Sequence, residues 1–535
     1  MKRYKYIAAL LIGSLIGFSG CTDNFESDNE IKGAFNDEVK EYDYQKYTMP
    51  LEIIQSGIYF QYNWGDGINW PWQITQALQH DMFSGYFHDQ VSKFNDKNSV
   101  YKINTGWTNA AWNYTYKYIF PVAHSSELNS EGVEQAIHYY GLTQILKVEL
   151  MHRISDTYGP VVYSKFGNGE VNSVDTQQEA YVAFFSDLDK GIDAMDKYLK
   201  NGGDDLSLNA NDMLNAKSIK GWIKFANSLR LRLAMRISNV DKTNAEIQAK
   251  KALANPYGVL EAANEIIQVS GHGYTNPLIA IGGWGEAYMG ATMASVLNGY
   301  EDSRREKWYN KATLKGYENE WLGIPQGVFM QEGDPNYYGG YSALNTAGGE
   351  TTPAILMTAA EVWFLRAEAA LRGFSNETPK TCYETGIKTS FTQWGVGDAT
   401  NYLASDKKPS DYKEMIPASG GKDMKALITI SPKWNDTAGK EGQLEQIITQ
   451  KWLACWPESY EAWSEQRRTG YPKLFKVQTN NSGGTIDTND MIRRLPFSTD
   501  DADKDPVQYD LLKKALGGPD HGGTRLWWDA GKNNF

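Results

Sequence analysis

From about residue 45 onward the pattern of apolar positions is mainly helical, with long irregular insertions. Residues 132–158 predict one helix, closed before Gly159-Pro160, and residues 177–200 predict a second, ended by Gly202-Gly203. Over 218–238 the stripe is cleaner. Ile219, Trp222, Ile223, Ala226, Leu229, Leu233 and Ile237 share one face, with Arg230, Arg232 and Arg236 mostly off it. Thr352-Pro353 predicts a helix start, a cap followed by proline at the first position. Leu356, Ala359, Ala360, Trp363, Phe364, Ala367, Ala370 and Leu371 form its buried stripe, and Gly373 stops it. Residues 444–456 and 458–468 predict two more helices, broken at Pro457 and ended by Gly470 and Pro472. The stretch from Gly271 to Glu350 is rich in Gly, Tyr, Trp and Asn and reads as loops and turns. No clean repeat of ~34 residues emerges, but paired helices of this size fit a repeat-like scaffold.

The N-terminus has a different pattern. Lys2, Arg3 and Lys5 precede an apolar run from Ile7 to Phe18, which has the length of a signal peptide and is short for a membrane span. Phe18-Ser19-Gly20-Cys21 resembles the bacterial lipobox, in which Cys21 is acylated on sulfur and becomes the new N-terminus. Several acyl chains of the palmitate class anchor a protein stably, whereas one holds it only marginally. The expected organisation is a signal peptide over 1–20, a lipidated polar tether over 21–45 and a single helical domain over 46–535. No other apolar run approaches ~18 residues.

Composition narrows the function. Loss of Lys2, Arg3 and Lys5 takes the formal charge from −12 to −15, and no long basic run is present, so nucleic acid is not an expected partner. Besides Cys21 the chain has Cys382 and Cys455, so a fold held by its core is expected rather than a disulfide framework. The 17 Trp and 33 Tyr supply many flat amphipathic surfaces.

Catalytic constellations are scarce. None of the seven histidines pairs with another at zinc-site spacing, and phosphate loops and a Gly-x-Ser-x-Gly elbow are missing. No metal or cofactor is expected. Glu361 and Glu368 share a helix face, but two turns put their backbones ~10 Å apart, against the roughly 5–5.5 Å of a retaining glycosidase pair. Glu368 with Arg372 at i+4 reads more simply as a surface pair.

Four segments then stand out in order. They are Tyr158-Gly159-Pro160-Val161-Val162-Tyr163; the run from Trp222 to Ala234; the run from Met357 to Ala369; and Glu461-Ala462-Trp463-Ser464-Glu465-Gln466-Arg467-Arg468-Thr469-Gly470-Tyr471-Pro472. With the lipobox they resemble the SusD/RagB family of nutrient-binding outer-membrane lipoproteins, in its SusD-like branch. The resemblance implies a mainly α fold: a tetratricopeptide-like helix-pair scaffold whose long irregular loops carry the ligand site. It implies a binding protein rather than an enzyme. Such a protein captures glycan, or in some members peptide, for a partner TonB-dependent transporter of the SusC type. It also implies an outer-membrane location, and the residues after Cys21, Thr22-Asp23-Asn24-Phe25-Glu26, resemble a surface-export signal. Glu361, Arg366, Arg467 and Arg468 are expected to serve packing and salt bridges, and no ligand contact transfers by motif. A lipid-anchored glycoside hydrolase is the alternative from another class.

Ligand residues must therefore be chosen from chemistry. An exposed Trp or Tyr covers the C–H face of a sugar, while Asn and Asp bond its hydroxyl rim. Removing ~100 Å² of apolar surface from water contributes about 2.5 kcal/mol, so two platforms give roughly millimolar affinity. Tyr62 to Trp72 is the leading cluster, with Trp64, Asp66, Asn69, Trp70 and Trp72. Asp334 to Tyr341 follows, with Asn336, Tyr337, Tyr338 and Tyr341, and then Trp284 and Trp321. Trp222, Trp363 and Trp463 sit on helical stripes and are expected in the core.

Overall fold

The computed structural model describes residues 45–59, 70–89, 94, 96–167, 169, 172–270, 273–331, 333–531 and 533–535. Residues 50–535 form one compact unit. Cys21, Trp64, Asp66 and Asn69 lie outside the described residues.

The fold is mainly α-helical. Its longer helices are α1 (Gln45–Gly57), α2 (Thr105–Tyr114), α3 (Phe120–Ser130), α4 (Ile137–Tyr158), α5 (Gln177–Lys200), α6 (Ile219–Ile237), α7 (Lys242–Ala254), α8 (Pro277–Gly283), α9 (Ala291–Gly299), α10 (Ala359–Arg372), α11 (Pro379–Trp394), α12 (Gly439–Cys455), α13 (Ser459–Thr469) and α14 (Pro506–Leu516). Consecutive helices pack as pairs: α4 on α5, α6 on α7, α10 on α11, α12 on α13. The α4–α5 crossing is close because Gly141 and Gly191 face each other. A Cβ on either would meet the other's carbonyl oxygen at 2.9 Å.

Four short strands lie among the described residues. In one antiparallel pair, β1 (Phe87–His88) meets β3 (Tyr288–Met289). In the other, β2 (Ile266–Val269) meets β4 (Ala354–Thr358), with Ile266 opposite Thr358 and a register shift after Ile267. β4 corrects the sequence reading, because Thr352-Pro353 does not start a helix. The apolar run Ala354–Thr358 is buried along its whole length, and α10 begins only at Ala359. The cap is Thr358, whose side chain accepts from the Glu361 N–H at 3.1 Å, and Gly373 ends the helix at φ +81°. The 271–350 stretch also holds more structure than loops alone, namely α8, α9, β3 and the short turn Arg305–Trp308.

The helix pairs enclose charge as well as apolar side chains. Arg232 of α6 donates to both oxygens of Glu361, each at 2.8 Å. Arg236 bridges Glu461 and Glu465 of α13, and Lys451 of α12 reaches Glu461 at 2.6 Å. Arg468 joins Glu368 at 2.7 Å to Glu465 at 2.6 Å, and Arg153 of α4 meets Glu458 at 2.9 Å. All of these side chains are buried. Arg230, Arg232 and Arg236 are therefore core residues, although the stripe placed them mostly outside. Glu368–Arg372 is likewise a buried pair at 2.8 Å, not a surface one. Burial alone would raise the Glu461 carboxyl, but Arg236, Lys451 and Arg232 outweigh it and hold it at about 2.

The tryptophans of the stripes divide. Trp222 and Trp463 are buried. Trp363 is only half-buried, covered by the Arg366 guanidinium at 3.7 Å, with its indole N–H donating to the Glu261 carbonyl. Cys382 and Cys455 are both free and buried. No helix among the described residues is long and apolar enough to cross a membrane.

Candidate functional site

Trp70 and Trp284 present broad indole faces to solvent, 51% and 49% exposed. Trp70 opens a helical turn, Trp70–Trp72, that runs directly into a π-helix over Gln73–Asp81. The wider π-helical winding is supported by side chains that satisfy backbone carbonyls. Thr75 Oγ1 donates to Pro71 O at 2.8 Å, Gln79 Nε2 donates to Ile74 O at 2.7 Å, and His80 Nδ1 lies 3.1 Å from Thr75 O. His80 anchors the other side of the helix. Its ring stacks on Tyr460 with centroids 3.6 Å apart, and its pKa is lowered by burial and then by Arg467 and Arg153. Burial pushes Asp81, the last π-helical residue, up to about 7; hydrogen bonds from Ser459 and Gln76 oppose this, and Glu458 adds to it. π-Helices are rare and concentrate at functional sites.

Trp284 caps the C-terminus of α8. Asn276 starts that helix by accepting from the Leu278 N–H at 3.0 Å, with Pro277 at its first position. The Trp284 N–H closes it by bonding Ala280 O at 3.1 Å, and Gly285, at φ +77°, turns the chain away. α8 packs against the π-helix. Across that contact Gln73 Nε2 donates to Glu286 Oε2. Gln73 lies one turn after Trp70, and Glu286 two residues after Trp284. This hydrogen bond therefore ties together the two elements that carry the exposed indoles.

The other sequence candidates fall differently. Trp72 is fully buried and stacks on Tyr59 at 5.8 Å, which in turn meets Tyr274 edge-on at 6.4 Å. It is a core residue, not a ligand platform. Tyr338 and Tyr341 are buried too. Their hydroxyls and that of Tyr412 converge on Glu414 at 3.0, 3.4 and 2.9 Å. Burial, reinforced by that carboxylate, raises the Tyr338 and Tyr341 phenols above the ordinary value. Both therefore help hold the loop together, and Tyr341 also lines the cleft beside Trp321. Tyr337 packs half-buried on the same cluster, and Asn336 is exposed.

Trp321 is 9% exposed, packs against Arg305 at 5.5 Å, and lines a cleft of about 470 Å³ between α9 and loops 316–323 and 410–415. Tyr317, 38% exposed, stands at the same cleft. The sequence reading missed it, although the glycine before it marks a turn and thus an outward position.

A family model described as "SusD-like: Susd and RagB outer membrane lipoprotein" matches residues 27–529. The chain belongs to the SusD-like family. Among solved structures, a SusD homologue from Bacteroides vulgatus is 65% identical, with a TM-score of 0.91 over 93% of this chain and 100% of its own. A chitin-binding SusD homologue from Flavobacterium johnsoniae is 35% identical, with a TM-score of 0.86 over 91% of this chain and 100% of its own. A homologue from Bacteroides thetaiotaomicron is 28% identical, with a TM-score of 0.80. No curated protein matches the chain.

The SusD-like signature segments lie at the end of α4, in α6, across β4 and α10, and in α13. They contribute Arg232, Glu361, Glu368, Glu461, Glu465 and Arg468 to the ion network. Trp70 and Trp284 lie outside all four. Among the described residues no group of His, Cys, Asp and Glu is arranged to hold a metal ion.

Proposed function

We propose that this chain captures glycan on an aromatic platform containing Trp70 and Trp284 and passes it to a partner TonB-dependent transporter in the outer membrane. The observation that carries the reading is the pairing of two half-exposed indoles on elements joined by the Gln73–Glu286 hydrogen bond. Each open face offers ~100 Å² of apolar surface, about 2.5 kcal/mol if a sugar ring covers it. Gln73 and Glu286, both partly exposed, add hydroxyl partners on the same two elements. Chitin binding by the Flavobacterium relative supports a glycan ligand and makes chitin the first polymer to try. Membership of an outer-membrane lipoprotein family supports a lipid on Cys21 as the tether, facing the cell surface.

Binding without hydrolysis is the expected mode. The carboxylates that share a helix face, Glu361 and Glu368, are both buried and engaged by Arg232 and Arg468. Affinity electrophoresis in gels containing soluble polysaccharides tests the reading. Retardation by one polymer with no release of reducing sugar is expected. Released sugar would establish a hydrolase, and no retardation by any polymer would favour a peptide ligand.

A further inference from the structure

Tyr317 and Trp321 line the cleft of about 470 Å³ beside α9, and a tied loop presents them. Gly316 turns the chain at φ +88°, and the Ala312 N–H closes the loop by bonding Glu320 O at 2.9 Å. Tyr317 lies inside that loop and leaves 38% of its surface open. Trp321 follows the closure and is locked from two sides. Its carbonyl accepts from Asn298 Nδ2 of α9 at 2.8 Å, and Asn298 Oδ1 accepts in turn from Arg305 Nη1 at 3.2 Å. The Arg305 guanidinium then covers one face of the indole at 5.5 Å.

The segment 410–415, which bounds the cleft as well, is fixed as firmly. The Ser410 N–H bonds Ser295 O of α9 at 3.0 Å, and Ser295 Oγ donates to Ser410 O. Tyr412 and Met424 exchange both backbone hydrogen bonds, at 2.9 and 3.1 Å. Glu414, which gathers three tyrosine hydroxyls, also accepts the Ile416 N–H at 2.8 Å. The cleft therefore stands preformed, and a ligand entering it pays little to order its walls.

Its chemistry suits a sugar. The volume is in the range of small-molecule sites. Tyr317 and Trp321 offer aromatic surface, and the buried rings of Tyr341 and Tyr412 line the cleft with them. Glu320, Asp411 and Lys413 are exposed lining residues. Asp411 pairs with Lys425 at 2.6 Å and Lys413 with Asp423 at 2.7 Å. What these two offer a ligand is thus hydrogen bonds rather than unbalanced charge. No residue of the π-helix or of α8 lines the cleft.

We infer that this cleft is a second sugar site, which holds one neutral sugar unit of a glycan against Tyr317 and Trp321 while Glu320, Asp411 and Lys413 bond its hydroxyls. The choice of a sugar rests on the glycan reading of the chain. The site is separate from the Trp70–Trp284 platform, and each can be tested without the other.

Fluorine NMR of the mature chain labelled with fluorotryptophan tests this. Trp321→Phe and Trp284→Phe variants assign the two signals. Glucose, galactose, mannose, N-acetylglucosamine and soluble chitin oligosaccharides are then titrated in turn. A saturable shift of the Trp321 signal with at least one of them is expected. Tyr317→Ala should raise the half-saturating concentration about tenfold, the effect of removing ~55 Å² of apolar contact. A melting curve establishes that this variant is folded. Silence at Trp321 with every sugar would overturn the proposal, and a response at Trp284 alone would leave the platform standing. An unchanged half-saturating concentration in folded Tyr317→Ala would also overturn it.

Discussion

Trp70 and Trp72 are two residues apart and have opposite fates. Half of Trp70 faces solvent, whereas Trp72 is sealed against Tyr59. Their substitutions should therefore separate cleanly. Trp72→Ala removes a fully buried indole and should cost roughly 3–5 kcal/mol of stability, read by denaturant unfolding. Trp70→Ala should stay within about 0.5 kcal/mol of wild type in the same assay. The Trp-rich run marked this stretch as a loop with exposed indoles; the structure makes it a helical turn, with Trp70 exposed and Trp72 buried. Composition names the residue types near a site, but only the local winding decides which face turns outward. Tyr338 and Tyr341 teach the same lesson. In sequence they belong to a polar, Gly-rich loop, yet distant Glu414 draws their hydroxyls inward.

Among the elements, the long helices were legible because their apolar stripes have one period and clear stops. α5 begins at Gln177 and ends at Lys200, as the pattern predicts. β4 was not legible. Ala354–Thr358 is apolar on both faces, so it merges with the stripe of α10 that follows. The π-helix over 73–81 was also hidden, since its winding depends on side chains that bond their own carbonyls. That element carries a specific pH dependence. Asp81 at its end has a folded-state pKa of about 7 against an ordinary 3.8. The folded protein binds this proton more tightly than the unfolded chain. Its contribution to stability is thus complete below about pH 4 and is lost as pH rises through 7. The loss is on the order of 4 kcal/mol. Asp81→Asn should keep the Ser459 bond and flatten the stability profile between pH 4 and 7. An unchanged slope in the variant would show that Asp81 is not the titrating group.

At the scale of the whole molecule, a buried ion network joins α4, α6, α10, α12 and α13. A stripe analysis that assigns charges to the surface cannot foresee it, because each arginine looks solvent-facing until its partner helix is in place. Breaking one node is expected to be severe. Glu461→Gln leaves Arg236 and Lys451 buried with less compensation and should cost about 3–5 kcal/mol. Because Glu461 is held at about 2, its contribution is present above the ordinary 4.5 and is lost as pH falls toward 2. Acid unfolding of the wild type should therefore be steep in that range and shallower in the variant. The lipid anchor proposed on Cys21 belongs to this scale as well. Cys21→Ala should move the protein from the membrane fraction to the soluble one and abolish palmitate incorporation, while leaving glycan binding by the folded domain intact.

The central claim is that Trp70 and Trp284 form the capture surface. Its most direct test is affinity electrophoresis of wild type and a Trp70→Ala/Trp284→Ala double variant in gels containing soluble chitin derivatives or another retarding polysaccharide. Wild-type protein should be retarded. The double variant should migrate as in a polymer-free gel, with an unchanged melting temperature. Equal retardation of both proteins would contradict the account.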